Sequence, residues 1–114
     1  MGYADFVQEN VYLVEAVLAA LRPRTLGEAV RAALIGGWSA AQVVERLSEE
    51  ARSAGLAAFE GEPIVQDRRL RTAVHAALVE LAVAGRVKRR VSRYGVELRS
   101  KGHRHAVVDV FRLT

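Results

Sequence analysis

One segment carries the strongest structural signal in the chain: residues 67–89, DRRLRTAVHAALVELAVAGRVKR. At 100° per residue, one side of a helix through this segment is apolar and consists of Leu70, Ala73, Val74, Ala77, Leu78 and Leu81. The opposite side holds Arg68, Arg71, Thr72, His75 and Val79. We therefore predict a helix over residues 68–84, capped by Asp67 and ended by Gly85, with a buried face and a basic face.

After this helix, the sequence takes on the character of β-strands. Residues 86–93 and 106–113 are rich in β-branched side chains, and turn signals lie between them at 94–95 and 100–103. These features predict one long hairpin over residues 86–113 that turns near Lys101 and Gly102. Because an isolated hairpin is only marginally stable in water, its apolar face is expected to pack on the helices.

Two helices are predicted near the N-terminus. The first covers residues 5–21, where apolar residues recur at helical spacing between Asp5 and Pro23. The second covers residues 26–35, is capped by Thr25 and ends at two glycines. Its apolar stripe consists of Leu26, Val30, Ala33 and Leu34.

A third helix begins at a capping box formed by Ser39 and Gln42 and is predicted to continue to about Ser53, before Gly55. Residues 57–66 are predicted to form a connector, extended around Pro63. Trp38 precedes the capping box and is expected in the core.

The composition is that of one folded domain without membrane or redox features. The chain has 114 residues and is 51% hydrophobic, which is enough for one core, so residues 1–114 are expected to form a single domain. It lacks cysteine, a secretory signal, and the run of ~20 apolar residues that crosses a bilayer. We therefore expect a cytoplasmic protein without membrane contact.

The charge is distributed unevenly along the chain. Residues 1–66 hold five arginines and nine acidic residues, a net charge of −4, whereas residues 67–114 hold twelve basic and four acidic residues, a net charge of +8. Positive charge concentrated in half of a small domain steers polyanions toward that half. The pattern favours a nucleic-acid partner, although a solvated basic face alone gives the same composition.

Residues 72–89 resemble the segment that joins the recognition helix to the wing in winged helix-turn-helix bacterial transcription regulators. The family pattern is Thr-x-Val-x-x-Ala-Leu-x-x-Leu-x-x-x-Gly-x-Val, and every fixed position is matched, at Thr72, Val74, Ala77, Leu78, Leu81, Gly85 and Val87. The resemblance implies a mostly helical α+β fold, with residues 25–114 as the winged-helix core, that binds double-stranded DNA as a transcription regulator or nucleoid-associated protein. In one departure, about twenty residues separate Leu47 from Arg68, where the family has a short turn.

Carried over by position, the resemblance implies two groups of DNA contacts. The helix contributes Arg68, Arg69, Arg71, Thr72 and His75, and the wing contributes Arg99, Lys101, His103 and Arg104. Arginine suits the acceptors of guanine, and a threonine hydroxyl is expected to donate to bases or phosphates. Residues 5–21 lie outside the minimal core. They are expected either to pair across the two-fold axis of a homodimer, which we favour, or to fold back on their own domain.

Other function classes find less support in the sequence. No Gly-rich phosphate loop, nucleophile elbow or Cys–His pair is present, and the histidines lack the further ligands that zinc requires. We therefore expect no enzymatic activity, metal or cofactor. The main alternative is a winged-helix module that binds other proteins through Ala76, Val79 and Val83. RNA binding is a lesser alternative, because the few aromatic residues are scattered.

Overall fold

Five helices precede a two-stranded antiparallel sheet in the computed structural model, which describes residues 11–92 and 108–114. Within these ranges the elements are α1 (Val11–Ala20), α2 (Leu26–Ile35), α3 (Ala40–Arg46), α4 (Glu49–Ala57), α5 (Pro63–Val83), β1 (Val87–Ser92) and β2 (Val108–Leu113). The strands pair in register from Val87 opposite Leu113 to Ser92 opposite Val108. The mostly helical α+β class predicted from the sequence is confirmed.

Helix α5 lies at the centre of the core. All six predicted core residues, from Leu70 to Leu81, are buried, which confirms the predicted face. Helices α1, α3 and α4 and strand β1 pack against α5, and Leu13, Val43 and Phe111 are among the fully buried side chains of this cluster. Packing on several elements fixes the rotation of α5 about its axis, and therefore fixes which side chains point outward.

The C-terminus of α5 agrees with the prediction. Gly85 has a φ of 78°, and its N–H donates to the carbonyl of Ala82 at 3.1 Å. The N–H of Arg86 donates to the carbonyl of Leu81 at 2.9 Å. These two bonds form a Schellman motif, in which glycine adopts the left-handed conformation at little steric cost.

The N-terminus of α5 differs from the prediction. The helix begins at Pro63 rather than Arg68, so the extended conformation predicted around Pro63 is wrong. Proline is well tolerated in the first helical turn, because its missing N–H would have no partner there. Asp67 is consequently not a cap but a residue of the second turn.

The predicted third helix is two helices, α3 and α4. The capping box is confirmed, because Ser39 Oγ accepts from the N–H of Gln42 at 3.3 Å and Gln42 Oε1 accepts from the N–H of Ser39 at 3.0 Å. The helix breaks at Leu47, whose ψ is 148°, and Ser48 caps the next one. Gly55 lies inside α4, where a Cβ atom would come within 2.8 Å of Leu70. It allows close packing on α5 rather than ending a helix.

Trp38 joins the helices to the sheet. Its backbone N–H and carbonyl both bond to Phe111 at 2.9 Å, in an isolated antiparallel bridge beside β2. The indole is only 4% exposed, as predicted. Gly37 makes the approach possible, since its φ is 120° and a Cβ atom would lie 1.9 Å from the carbonyl oxygen of Phe111.

Arg46 connects the N-terminal helices. Its guanidinium donates to the carbonyls of Ala20 at 2.7 Å and Arg22 at 2.9 Å, and to the carboxylate of Glu28 at 3.0 Å. The same group stacks on Trp38, 4.2 Å from the ring centroid. These bonds link the ends of α1 and α3 to the first turn of α2. The hydrogen bond from Arg46, with a second from the backbone of Arg24, lowers the pKa of Glu28 to about 2.

The apolar stripe of α1 is buried, whereas that of α2 is exposed to solvent. Leu13, Val17 and Leu21 are buried in the core of their own chain, so this part of the first stripe folds back on its own domain. In α2, by contrast, Leu26 and Leu34 are largely exposed. None of the helices in the described ranges combines the length and apolarity needed to cross a bilayer.

Candidate nucleic-acid interface

The outward face of α5 presents a group of polar and basic side chains. Arg68, Arg69, Arg71 and Thr72 are exposed, and His75 is half-buried. They occupy two consecutive turns of the helix, opposite the buried residues Leu70, Ala73 and Val74. The exposed basic face predicted from the helical wheel is therefore present.

An open groove runs along this face. It has a volume of about 420 Å³ and is lined by Ala41, Arg68, Arg71, Thr72 and His75. Four of the five helix residues predicted to contact DNA thus line one shallow, open groove, while Arg69 is not among its lining residues. Ala41 belongs to the first turn of α3. The groove therefore lies between the two helices that the resemblance pairs as supporting helix and recognition helix.

The electrostatics of the groove are governed by an excess of arginine over acid. Asp67 lies 3.3 Å from Arg71 and 3.9 Å from Arg52, in pairs that remain partly exposed. Arg68 and Arg69 form no ion pair with any residue of the described ranges. The single carboxylate of Asp67 thus pairs with two guanidinium groups, and the outward face of α5 keeps a net positive charge.

Thr72 has a different hydrogen-bonding capacity from the one predicted. Its hydroxyl donates to the carbonyl of Arg68, one turn earlier, at 3.0 Å. The single hydroxyl proton is therefore used within the helix, and the lone pairs of the oxygen remain for an external donor. In this conformation the Thr72 hydroxyl can accept a hydrogen bond from outside the helix but has no further proton to donate.

His75 contacts the sheet as well as the groove. Its Nε2 lies 3.5 Å from the carboxylate of Asp109, and its ring meets Phe111 edge-on, with centroids 6.0 Å apart and an interplanar angle of 83°. Arg89 binds the same carboxylate at 2.5 Å. The hydrogen bond from Arg89, with a smaller contribution from His75, lowers the pKa of Asp109 below its usual value. His75 therefore contacts β2 as well as lining the groove.

Further cations lie on the sheet, although Arg89 among them is paired with Asp109. Lys88, Arg89 and Arg90 are exposed on β1, directly after α5 in the chain. The predicted wing contacts, which are Arg99, Lys101, His103 and Arg104, lie outside the described residues, as does the predicted turn. The sequence-based prediction of the site overlooked Arg52, Asp67, Arg89 and Asp109 as its charged neighbours.

The strip proposed for protein binding is not a continuous apolar surface. Ala76 and Val79 are half-buried, and Val79 packs against the core. Val83 alone of the three is largely exposed, at 87%. The described residues also contain no group of His, Asp or Glu side chains placed to hold a metal ion.

Comparisons with protein-family models, with curated proteins and with solved structures found no match to this chain.

Proposed function

We propose that this protein binds double-stranded DNA as a winged helix-turn-helix protein, with α5 as recognition helix and the β1–β2 hairpin as wing. The observation that carries the proposal is the convergence of Arg68, Arg71, Thr72 and His75 on one open groove. The helix that bears them is fixed by its buried opposite face. A rigid helix with cations on its free side is what insertion into a major groove requires.

The dimensions of α5 suit this role. A helix with its side chains is about 10–12 Å across, close to the ~12 Å width of the major groove. Residues 68–75 rise about 10 Å along the helix axis, which matches the length of roughly three base pairs. Arg68 and Arg71 are the candidates for guanine, and Thr72 is suited to accept from the amino group of adenine or cytosine.

The order of the elements also supports the proposal. Helix α2, the Trp38 bridge, α3, α5 and the paired strands follow one another as in a winged-helix core. Helix α4 lies in the sequence between α3 and α5, the two helices of the motif, where the family has a short turn. It packs on α5 and leaves the groove between α3 and α5 open. We propose a transcription regulator or chromosome-associated protein as the biological role.

The direct test is titration of a labelled duplex with the protein, followed by fluorescence anisotropy. Arg71→Ala is expected to weaken binding to a selected site by about 1–3 kcal/mol and to relax the base preference. Arg22→Ala, which removes an equal charge from the loop after α1, is the matched control and should leave binding unchanged. The absence of binding to bulk DNA at micromolar protein and low salt would refute the proposal. Selection of duplexes from a random pool then identifies the site.

A further inference from the structure

Helix α2 has its apolar side turned to solvent. At 100° per residue, one continuous arc of about 160° contains no charged or polar residue and consists of Ala29, Ala33, Leu26, Val30, Leu34 and Gly27. All six are exposed, with Leu26 at 82%, Val30 at 48% and Leu34 at 72%. The charged side chains of Glu28 and Arg31 lie on the opposite, partly buried side. Amphipathic helices of soluble domains normally face the other way.

The orientation of α2 is held in place by the rest of the fold. Thr25 caps its first turn, with Oγ1 accepting from the N–H of Glu28 at 3.1 Å. Glu28 is bound to Arg46, which is itself stacked on Trp38. The helix therefore cannot turn its apolar arc inward without breaking the junction that joins α1, α2 and α3. An exposed apolar surface fixed in this way is characteristic of an interface.

We propose that this arc is the contact between two copies of the chain, packed around a two-fold axis near Val30. The large residues Leu26, Val30 and Leu34 form one ridge with a spacing of four, and Ala29 and Ala33 form a low row beside it. Ridges of this spacing fit the grooves of an identical helix at a crossing angle of about −50°. The order Leu-Val-Leu reads the same in both directions, so an antiparallel copy places Leu26 against Leu34 of its mate, as a two-fold contact requires.

Charge and size also point to a second copy. The arc carries no charged side chain, so two chains with a net charge of +4 meet there without placing charges face to face. A helix of ten residues is about 15 Å long, so the contact is short and buries little surface. The dimer is therefore expected to be reversible and concentration-dependent. This inference does not depend on DNA binding.

Sedimentation equilibrium over a wide range of protein concentrations tests the dimer. Wild type is expected to show a monomer–dimer equilibrium, and Val30→Glu, which brings two carboxylates together at the axis, should raise the dissociation constant at least about tenfold. Val83→Glu makes the same change at another exposed valine and should have no effect. Circular dichroism checks that both variants fold. A wild type that remains monomeric at high micromolar concentration overturns the proposal, as does a Val30→Glu variant that dimerises normally.

Cross-linking tests the geometry independently. The chain contains no cysteine, so Val30→Cys introduces a single thiol, and the two thiols of a dimer lie close to the axis. Mild oxidation is expected to give a covalent dimer rapidly with Val30→Cys and slowly with Val83→Cys. Equal rates would contradict an axis near Val30. DNA binding by Val30→Glu is measured separately, so the loss of the dimer and the loss of DNA binding are distinguished.

Discussion

Asp67 shows how a single residue shapes the basic face of α5. Its carboxylate lies within 4 Å of Arg52 and Arg71, and Arg71 lines the groove. It restrains the two guanidinium groups, but it also brings a negative charge to a surface that is proposed to approach phosphates. At such partly exposed positions an ion pair contributes little to stability. The main effect of Asp67 is therefore expected in binding.

We predict that Asp67→Asn strengthens binding to DNA of any sequence, by several-fold at low salt, because it removes a repulsive charge and releases two arginines. The increase should shrink as salt is raised, since these charges are exposed to solvent. Anisotropy titrations with an unselected duplex at several salt concentrations measure both effects. Glu15→Gln, an exposed charge change on α1, is the control. Weaker binding by Asp67→Asn would contradict this prediction.

At the scale of elements, the contact between the Trp38 segment and β2 depends on Gly37. A methyl group at this position would lie 1.9 Å from the carbonyl oxygen of Phe111, and the backbone φ of 120° is unfavourable for any other residue. We predict that Gly37→Ala lowers the free energy of unfolding by about 3 kcal/mol or more, because the bridge between residues 38 and 111 must open. Urea unfolding followed by circular dichroism measures this change.

Gly85→Ala is the matched comparison for Gly37→Ala. Gly85 also has a positive φ, but a Cβ atom there would meet nothing within 4 Å. Gly85→Ala should therefore lower the free energy of unfolding by only about 1–2 kcal/mol, which is the cost of holding alanine in the left-handed conformation. If the two variants are equally stable, the close approach at Gly37 adds nothing to the cost of the substitution, which contradicts the prediction.

The elements also show which parts of the structure the sequence could predict. The buried face of α5 follows from periodicity alone, so it was predicted correctly even though Pro63 was misinterpreted as part of an extended segment. The break between α3 and α4 was missed because the cap at Ser48 lies within a continuing helical pattern. Asp67 and Arg71 have the (i, i+4) spacing of helical neighbours, so their ion pair could have been predicted from the sequence.

Other parts of the site depend on tertiary structure. Nothing in the local sequence indicates that Asp109 faces His75 and Arg89, since that arrangement requires the sheet to pack against α5. The outward orientation of α2 could not be predicted either, because the sequence pattern of an apolar stripe is the same whether the stripe faces the core or solvent.

For the whole molecule, the separation of charge along the chain is only partly reproduced in space. Glu28 pairs with Arg46 inside the acidic half, and Asp109 pairs with Arg89 inside the basic half, whereas Arg52 and Asp67 join the two halves. The pKa values of Glu28 and Asp109 are lowered by their arginines. Such groups stabilise the folded state at pH values above their unfolded pKa and lose this contribution as they become protonated.

The lowered pKa of Glu28 predicts how the stability of the protein changes with pH. Because the pKa of Glu28 is about 2 in the folded protein and about 4.3 in an unfolded chain, its contribution is complete at neutral pH and declines as the pH falls through that interval. Glu28→Gln is therefore expected to be less stable than wild type at pH 7, with the difference shrinking toward pH 2. Glu45→Gln, an exposed side chain on α3, should follow the wild-type curve. Urea unfolding between pH 7 and 2.5 measures the three curves, and a constant difference between wild type and Glu28→Gln would show that the bond from Arg46 does not hold Glu28 ionised.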